Sequence, residues 1–552
     1  MQASRRTHGG SVRTAAPWAV FLLVAATACG TAEEPGQQSG PGATVTGSAA
    51  EDAPGTGERA TGTDTEDDEA EKKPIPHHSF VSRPDLMPPQ LQFTHGDADP
   101  SEQADGHLLI TPVYGSETPS TGAMIFDADG EPIWVKPSDP DDPTDNLFDL
   151  RVQHYQGDPV LTVYEGTSTG GRGDGEVLIL DQSYEEIARV TTGGDLGPGE
   201  ADFHDTTITE EGTMLLGAYV PVQHDLSAVG GPQDGWVEDA VIQEVDIETG
   251  DVLFEWSALD HVPVTEAMLD FEEERAKVRE EDDEELGTEQ TPYDYFHINS
   301  ITEDLDGALL VSARHTSAVY RLNRSTGDVE WTLGGSASDF EMGEGTEFAW
   351  QHDAQRDEDG SLTLLDNHLN KPDGDVSSRG LRLKLDEESM TASVATTYEA
   401  PDHRPAGSMA NNQLLDNGGV LVGWGQQPYF SEFTREGELL YDVCHGDVCT
   451  GEEYEGGGGS YRAYKLPWEG QPAADPDVVV TNGTAHVSWN GATEVAQWRL
   501  LTGGSAEDAE PQTTVDRQGF ETQIPVPEDA EHIAVQALDA SGQVLGEATP
   551  AA

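Results

Sequence analysis

Between about residues 89 and 466 one pattern of apolar and polar positions recurs along the chain. A short β-type run is followed by a turn carrying Asp, Asn or Gly, then by a second run that often ends in an aromatic. MIFDADGEPIWV, LILDQSYEEIARV, QEVDIETGDVLFEW, YRLNRSTGDVEWTL, LKLDEESMTASVATTY and SEFTREGELLYDV are its copies. They are spaced by about 50 to 75 residues, a period in the range of propeller blades. A further run ending in a turn precedes most copies, as in EEGTMLLGAYV, LDGALLVSARH, EDGSLTLLDNH and DNGGVLVGWG. Each period thus holds about four strands, and six periods predict an all-β, six-bladed β-propeller. A string of β-sandwiches would show turns at similar density but no common unit, and a β-helix would repeat over much shorter periods.

Two stretches depart from the pattern. VTEAMLDFEEERAKVREEDDEELGTEQ, residues 264–290, is acidic and rich in helix formers, which predicts a helical excursion from the third period. After LPWEGQP the period stops. VVVTNGTAHVSWNGATEVAQWRLLTG, FETQIPVP and HIAVQALDASGQVLGEA predict short alternating strands over 467–552, with Trp489 and Trp498 as core aromatics. That stretch resembles a small fibronectin type III-like β-sandwich.

The N-terminal region carries no such pattern. MQASRRTHGGSVRT is basic, APWAVFLLVAA is apolar but short for a membrane span, and ATAC ends at Cys29. Residues 1–28 resemble a bacterial lipoprotein signal peptide, which implies cleavage before Cys29 and lipid on its thiol; an ordinary secretory signal ending near a Cys is the alternative. Residues 29–88, with GQQSGPGATVTGSAAEDAPGTG and TDTEDDEAEKK, have the composition of a disordered tether. The expected location is therefore extracytoplasmic, anchored to the cell membrane through Cys29.

Composition narrows the partners. The chain has 105 Asp and Glu against 28 Lys and Arg, a formal charge of −77. A body this acidic repels nucleic acid and anionic lipid head groups, so neither is an expected partner. Cys444 and Cys449 in DVCHGDVCT predict a small-loop disulfide in an oxidising compartment. A metal site with His445 is the rival reading, though the spacing matches no zinc pattern.

Candidate chemistry lies in three histidines at the openings of consecutive periods. His204 precedes the turn glycine Gly212 by eight residues, His352 precedes Gly360 by eight, and His297 precedes Gly307 by ten. The same count in neighbouring periods gives Asp149 and Ala410, so the expected ring carries histidine on one side only. In a propeller the innermost strands line a central channel, where these residues would meet. Asn299 and Arg314 join them. Imidazoles offer a nucleophile or a proton shuttle, and a guanidinium offers a planar fork for an oxyanion. The set describes an anion-transfer site; a three-histidine zinc site is the competitor, but it has no need of the arginine.

DYFHINSITEDLDGALLVSARHTSAVYRLNRSTGDVEWTLGG, FAWQHDAQRDEDGSLTLLDNH and GSMANNQLLDNGGVLVGWGQQPYFSEF together resemble the bacterial arylsulfotransferase family, over roughly residues 200–445. The resemblance implies a six-bladed propeller that moves a sulfuryl group from a phenolic sulfate ester to a phenolic acceptor, with no cofactor and no nucleotide sulfate donor. It also implies that His352 is the nucleophile and passes through a sulfohistidine. His204, His297 and Arg314 would then complete the catalytic set, and Asn299 would help hold the sulfuryl oxygens. Consistently, the chain has no P-loop-like phosphate cradle. A non-catalytic propeller binding a sulfated or carboxylated ligand is the alternative.

Overall fold

The computed structural model describes residues 74–550, apart from 115–118, 140, 282–283, 368–376 and 451–457. The signal-like segment, Cys29 and most of the expected tether lie outside the described residues. The described chain is all-β, with short helical pieces between strands.

Six sheets, each with four strands or more and antiparallel but for the edge strand Glu341–Met342 of the fifth, account for the repeated region. Their innermost strands are Ser460–Leu466, Asn146–Tyr155, Thr206–Ile208, Ile298–Glu303, His352–Arg356 and Asn411–Leu414. Each touches the next and the last touches the first, so the six form a closed cycle. Two exchanges between distant parts of the chain close it. Ser460–Leu466 pairs with His107–Pro112 and completes the first sheet, while Gln92–His95 pairs with Leu439–Cys444 at the edge of the sixth.

The hairpin that follows an inner strand uses the same turn in the third, fourth, fifth and sixth sheets. The turn residues Thr209, Asp304, Asp357 and Leu415 each accept a hydrogen bond from the N–H of the glycine three places on. Those glycines, Gly212, Gly307, Gly360 and Gly418, have φ of 79°, 84°, 82° and 83°, a left-handed conformation that a Cβ disfavours.

Counting back from the turn residue shows what joins the sheets. The residue four places before it bonds the backbone of the next inner strand. Asp205 accepts from Ile301 N–H at 2.8 Å, Ser300 Oγ from Ala354 N–H at 3.0 Å, Asp353 from Asn412 N–H at 2.9 Å, and Asn411 Oδ1 from Ala463 N–H at 3.0 Å. Inner strands of neighbouring sheets do not pair, so these side chains supply the partners that buried backbone N–H groups need. Between the first and second sheets, Tyr464 donates to Asp149 at 3.0 Å, and Gln153 links the second to the third through Ile208 N–H and Thr206 C=O.

A buried ionic hub lies inside the cycle. Arg462 contacts Asp205 at 3.2 Å and Asp149 at 3.5 Å, and Arg151 contacts Asp205 at 2.7 Å. Burial works against the Asp205 charge, but Arg462 and Arg151 outweigh it and hold its carboxyl below the usual range.

The excursion between the third and fourth sheets contains the helices Ala258–His261 and Phe271–Glu281, which bury Phe271 and Val278 in one core with Tyr293 and Trp256. Residues 477–548 form a three-stranded and a four-stranded sheet, with Trp489 and Trp498 buried among Leu500 and Val535. Asn490 fastens this part to the first sheet by bonding both the N–H and the C=O of Val135, at 2.9 and 3.0 Å.

The expected tether ends earlier than its composition suggests. Leu86 is fully buried, Phe80 packs on Phe520 at 4.4 Å, and Ser82 bonds Ser488 and Glu521. The apolar residues of HHSFVSRPDLMPP give this stretch something to bury, which the acidic run before it lacks. Cys444 and Cys449 form the expected disulfide, with Cα atoms 5.8 Å apart.

Candidate active site

The turn register places the histidines. His204 and His352 both lie five residues before their turn residue, so they occupy equivalent positions. His297 does not: Asn299 holds that position in the fourth sheet, and His297 lies two residues earlier, equivalent to Trp350. Both His297 and Trp350 have φ of 58°. The expectation of three equivalent histidines is thus corrected to two, with the third entering from the preceding turn of chain. Its spacing of ten to Gly307, against eight in the other two, is this offset.

Two of the rings still meet. His204 and His297 have centroids 4.7 Å apart at an interplanar angle of 81°. Arg314 follows the second strand of the fourth sheet, where its backbone N–H bonds the His297 carbonyl at 2.9 Å; hairpin pairing therefore puts both at the same end. The guanidinium lies over the Trp350 ring, 4.1 Å from its centroid. The charge of Arg314 acts on His352, as do His204 and His297. His204, His297, Arg314 and His352 are between 2 and 5% exposed, so their electrostatics act in a medium from which water is largely removed.

Each histidine has one ring nitrogen committed. His204 Nδ1 lies 2.6 Å from Asp202, whose carboxylate also accepts from the His204 and Gly173 N–H groups. His297 Nδ1 lies 2.6 Å from Asp294. A carboxylate fixes the proton on Nδ1 and leaves Nε2 with a lone pair. His352 is set differently. Its Nδ1 lies 2.8 Å from Asn367 Oδ1 and 3.1 Å from the Trp350 carbonyl. Asn367 Nδ2 donates to the carbonyls of Ala406 and Met409, so its oxygen must face the histidine. His352 thus carries its proton on Nδ1, and Nε2 is the nucleophilic nitrogen.

Burial lowers the His352 pKa well below that of free imidazole, and the Arg314 charge lowers it further; the Asn367 bond opposes both. Burial also pushes His297 down to about 4, against the raising effect of Asp294. Protonation of either ring would occupy the lone pair. Activity that needs these lone pairs should therefore stay level as pH falls from 7 to about 5.5, where a free imidazole of pKa ~6.5 would already have titrated. A pH profile of kcat/KM with its acid limb near 6.5 would contradict this. Stability shows the same sign: below pH ~6.5 the unfolded chain takes up protons that these buried rings refuse, so folding should weaken as acid is added.

Asn299 is fully buried, and its Nδ2 donates to the Gln351 carbonyl at 2.6 Å. The structure therefore puts its amide behind the backbone that carries His352. Gln351 in turn bonds Ser312, Ala313 and Ala318 and fixes that backbone to the fourth sheet. An aromatic group, Phe203, Tyr461, Phe148 and Tyr164 with Met409, adjoins His204; Phe203 stacks on the imidazole at 4.4 Å.

The sequence reading missed Asp202, Asp294, His315, Trp350 and Asn367. An acid two or three places before a histidine, as in DFH and DYFH, was a usable signal for the first two. Among the described residues, Asp294, His297 and His315 have possible ligand atoms within 4.8 Å of one another, a spacing that could hold a metal. Both histidines there turn Nδ1 toward Asp294, an arrangement that hydrogen bonding alone accounts for.

The arylsulfotransferase (ASST) family profile matches residues 151–446. That is more than half of the chain, and the chain belongs to the arylsulfotransferase family. No curated protein matches it. Among solved structures, a Bacteroides caccae protein of unknown function is 14% identical with a TM-score of 0.36, covering 65% of this chain and 98% of its own. The Pseudomonas aeruginosa periplasmic gluconolactonase is 14% identical with a TM-score of 0.33, covering 76% and 99%. A β-propeller domain from Myceliophteria thermophila is 11% identical with a TM-score of 0.28, covering 62% and 97%. TM-scores this low decide nothing about the site.

Proposed function

We propose that the chain is a sulfotransferase that moves a sulfuryl group from a phenolic sulfate ester to a phenol through His352, on a six-bladed propeller followed by a fibronectin type III-like domain. The observation that supports the reading is the setting of His352: its Nδ1 donates to Asn367 Oδ1, which leaves the Nε2 lone pair free of that bond, and the Arg314 charge acts on the ring. In the first half-reaction Nε2 bonds to sulfur as the bond from sulfur to the donor's phenolic oxygen breaks. Arg314 neutralises charge on the sulfuryl oxygens, as in-line transfer of such a group requires. In the second half-reaction the acceptor phenol attacks sulfur, its proton passes to Nε2 of His204, and the bond between His352 and sulfur breaks. That proton serves the leaving oxygen of the next donor, so the cycle balances. Asn299 acts through the backbone before His352, and the aromatic group beside His204 offers a face for an aryl ring. Exclusion of water protects the sulfohistidine from hydrolysis.

Arg314→Lys tests the fork. A lysine keeps the charge but loses the planar pair of donors and the stacking on Trp350, so kcat/KM with a chromogenic aryl sulfate should fall by about a hundredfold in a folded protein. A loss within about threefold would show that a point charge suffices.

We also propose that lipid on Cys29 holds the protein at the outer face of a membrane. The basic, apolar and small-residue order of residues 1–28 supports it. Cys29→Ser should release the protein into the medium or leave an unprocessed precursor, as seen by fractionation and intact mass. Cys29→Ser that is cleaved like wild type and still attached to membranes would reject it.

A further inference from the structure

Arg314 is not held by the backbone alone. One of its nitrogens donates to His315 Nε2 at 2.9 Å. A guanidinium has only donors, so Nε2 must supply a lone pair and the His315 proton must sit on Nδ1. That nitrogen lies 2.7 Å from the Asp294 carbonyl and 3.5 Å from its carboxylate, so its donor requirement is met as well. Asp294 is the residue that orients His297, and the two imidazoles have centroids 4.7 Å apart. Trp350 completes the enclosure: it meets His315 at 5.1 Å, nearly edge-on, and covers the face of the guanidinium. The arginine is thereby held in its plane by His315, with the Gly407 carbonyl at 3.5 Å as a longer contact, and across its plane by Trp350.

We propose that His315, seated by Asp294, is a positioning residue that aims the Arg314 fork at the anionic end of the substrate. Asp294 then serves both parts of the site, orienting the His297 ring beside the nucleophile and seating His315 for anion binding. Without the His315 acceptor the guanidinium loses its 2.9 Å hydrogen bond, and its fork is less firmly aimed and must be ordered in part at each binding event. The inference rests on the sulfuryl-transfer reading for its substrate, but its anion-binding content can be measured without turnover.

The test uses the full chain with toluenesulfonate, which has no transferable group, alongside steady-state kinetics on a chromogenic aryl sulfate. His315→Phe keeps a planar ring against Trp350 and removes both nitrogens. It should raise the sulfonate Kd and the donor KM together by about tenfold to a hundredfold, the range for losing a hydrogen bond to a charged group. His315→Gln can accept from Arg314 through its oxygen and donate to Asp294 through its nitrogen, and should recover most of the loss. A merely structural role would not separate the two variants. If His315→Phe does not fold, His315→Met supplies the same comparison. Either apolar variant binding sulfonate within about twofold of wild type, or His315→Gln binding no better than the apolar variant, overturns the proposal. Wild type that binds sulfonate tightly but turns over no aryl sulfate would remove the transfer reading and leave this inference standing if the variants behave as expected. Wild type that binds no sulfonate removes both.

Discussion

His352→Asn should lose nearly all turnover, about a thousandfold or more in kcat, while remaining folded. The substitution keeps a small polar side chain that can still meet Asn367, but it leaves no nitrogen lone pair to attack sulfur. No neighbour replaces it. His204 and His297 have Nε2 lone pairs of their own, yet each is directed by a carboxylate, whereas His352 faces a neutral amide. A carboxylate behind an imidazole stabilises the charged ring and so favours proton uptake; the neutral amide fixes the tautomer without that bias. What stands behind them thus marks His352 as the nucleophile and His204 as the proton carrier, while burial outweighs Asp294 and keeps His297 neutral. Kinetics of the purified variant with a chromogenic donor and added phenol check the loss, and circular dichroism checks the fold. Retention of a tenth or more of the wild-type rate would mean that transfer does not pass through this residue.

Asp205→Ala should destabilise the folded chain by about 3 to 5 kcal/mol, the range for breaking a buried ion pair from one side. Its carboxylate meets Arg462 and Arg151 and accepts the N–H of Ile301 in the next sheet. The alanine leaves two guanidinium groups sharing Asp149, deprives Ile301 of its partner, and opens one junction of the cycle. Asp205→Asn, which keeps an acceptor for Ile301, should cost less. The shift of the urea midpoint measures both. A loss under about 1 kcal/mol for Asp205→Ala would show that the cycle does not depend on this side chain.

Much of this site is written locally in the chain. The Gly at the left-handed turn position of each hairpin is visible in the sequence, and counting back from it leads to His204 and His352. The same count miscarries for His297, because in the fourth sheet the counted position holds Asn299 and the histidine stands two places earlier, at the left-handed position that Trp350 occupies in the fifth. Asp202 and Asp294 lie within three residues of the rings they hold and were legible in principle. Asn367 was not: it reaches His352 only because His352 pairs with Leu365 across a hairpin, and nothing in the run LLDNH distinguishes the amide. Closure was hidden for the same reason. Ser460–Leu466 completes a sheet begun at His107–Pro112, and alternation within either strand says nothing about a partner so far along the chain.

The most direct test of the account is the mass of the protein after exposure to an aryl sulfate donor with no acceptor present. Rapid quenching at alkaline pH, where a sulfonated imidazole survives, followed by digestion, should show one added sulfonate on the peptide containing His352, with release of an equivalent of the donor's phenol. The adduct should disappear when a phenol is added and should be absent from His352→Asn. Sulfonate on another peptide, or wild-type turnover with no adduct under any quench that preserves authentic sulfohistidine, would contradict transfer through His352.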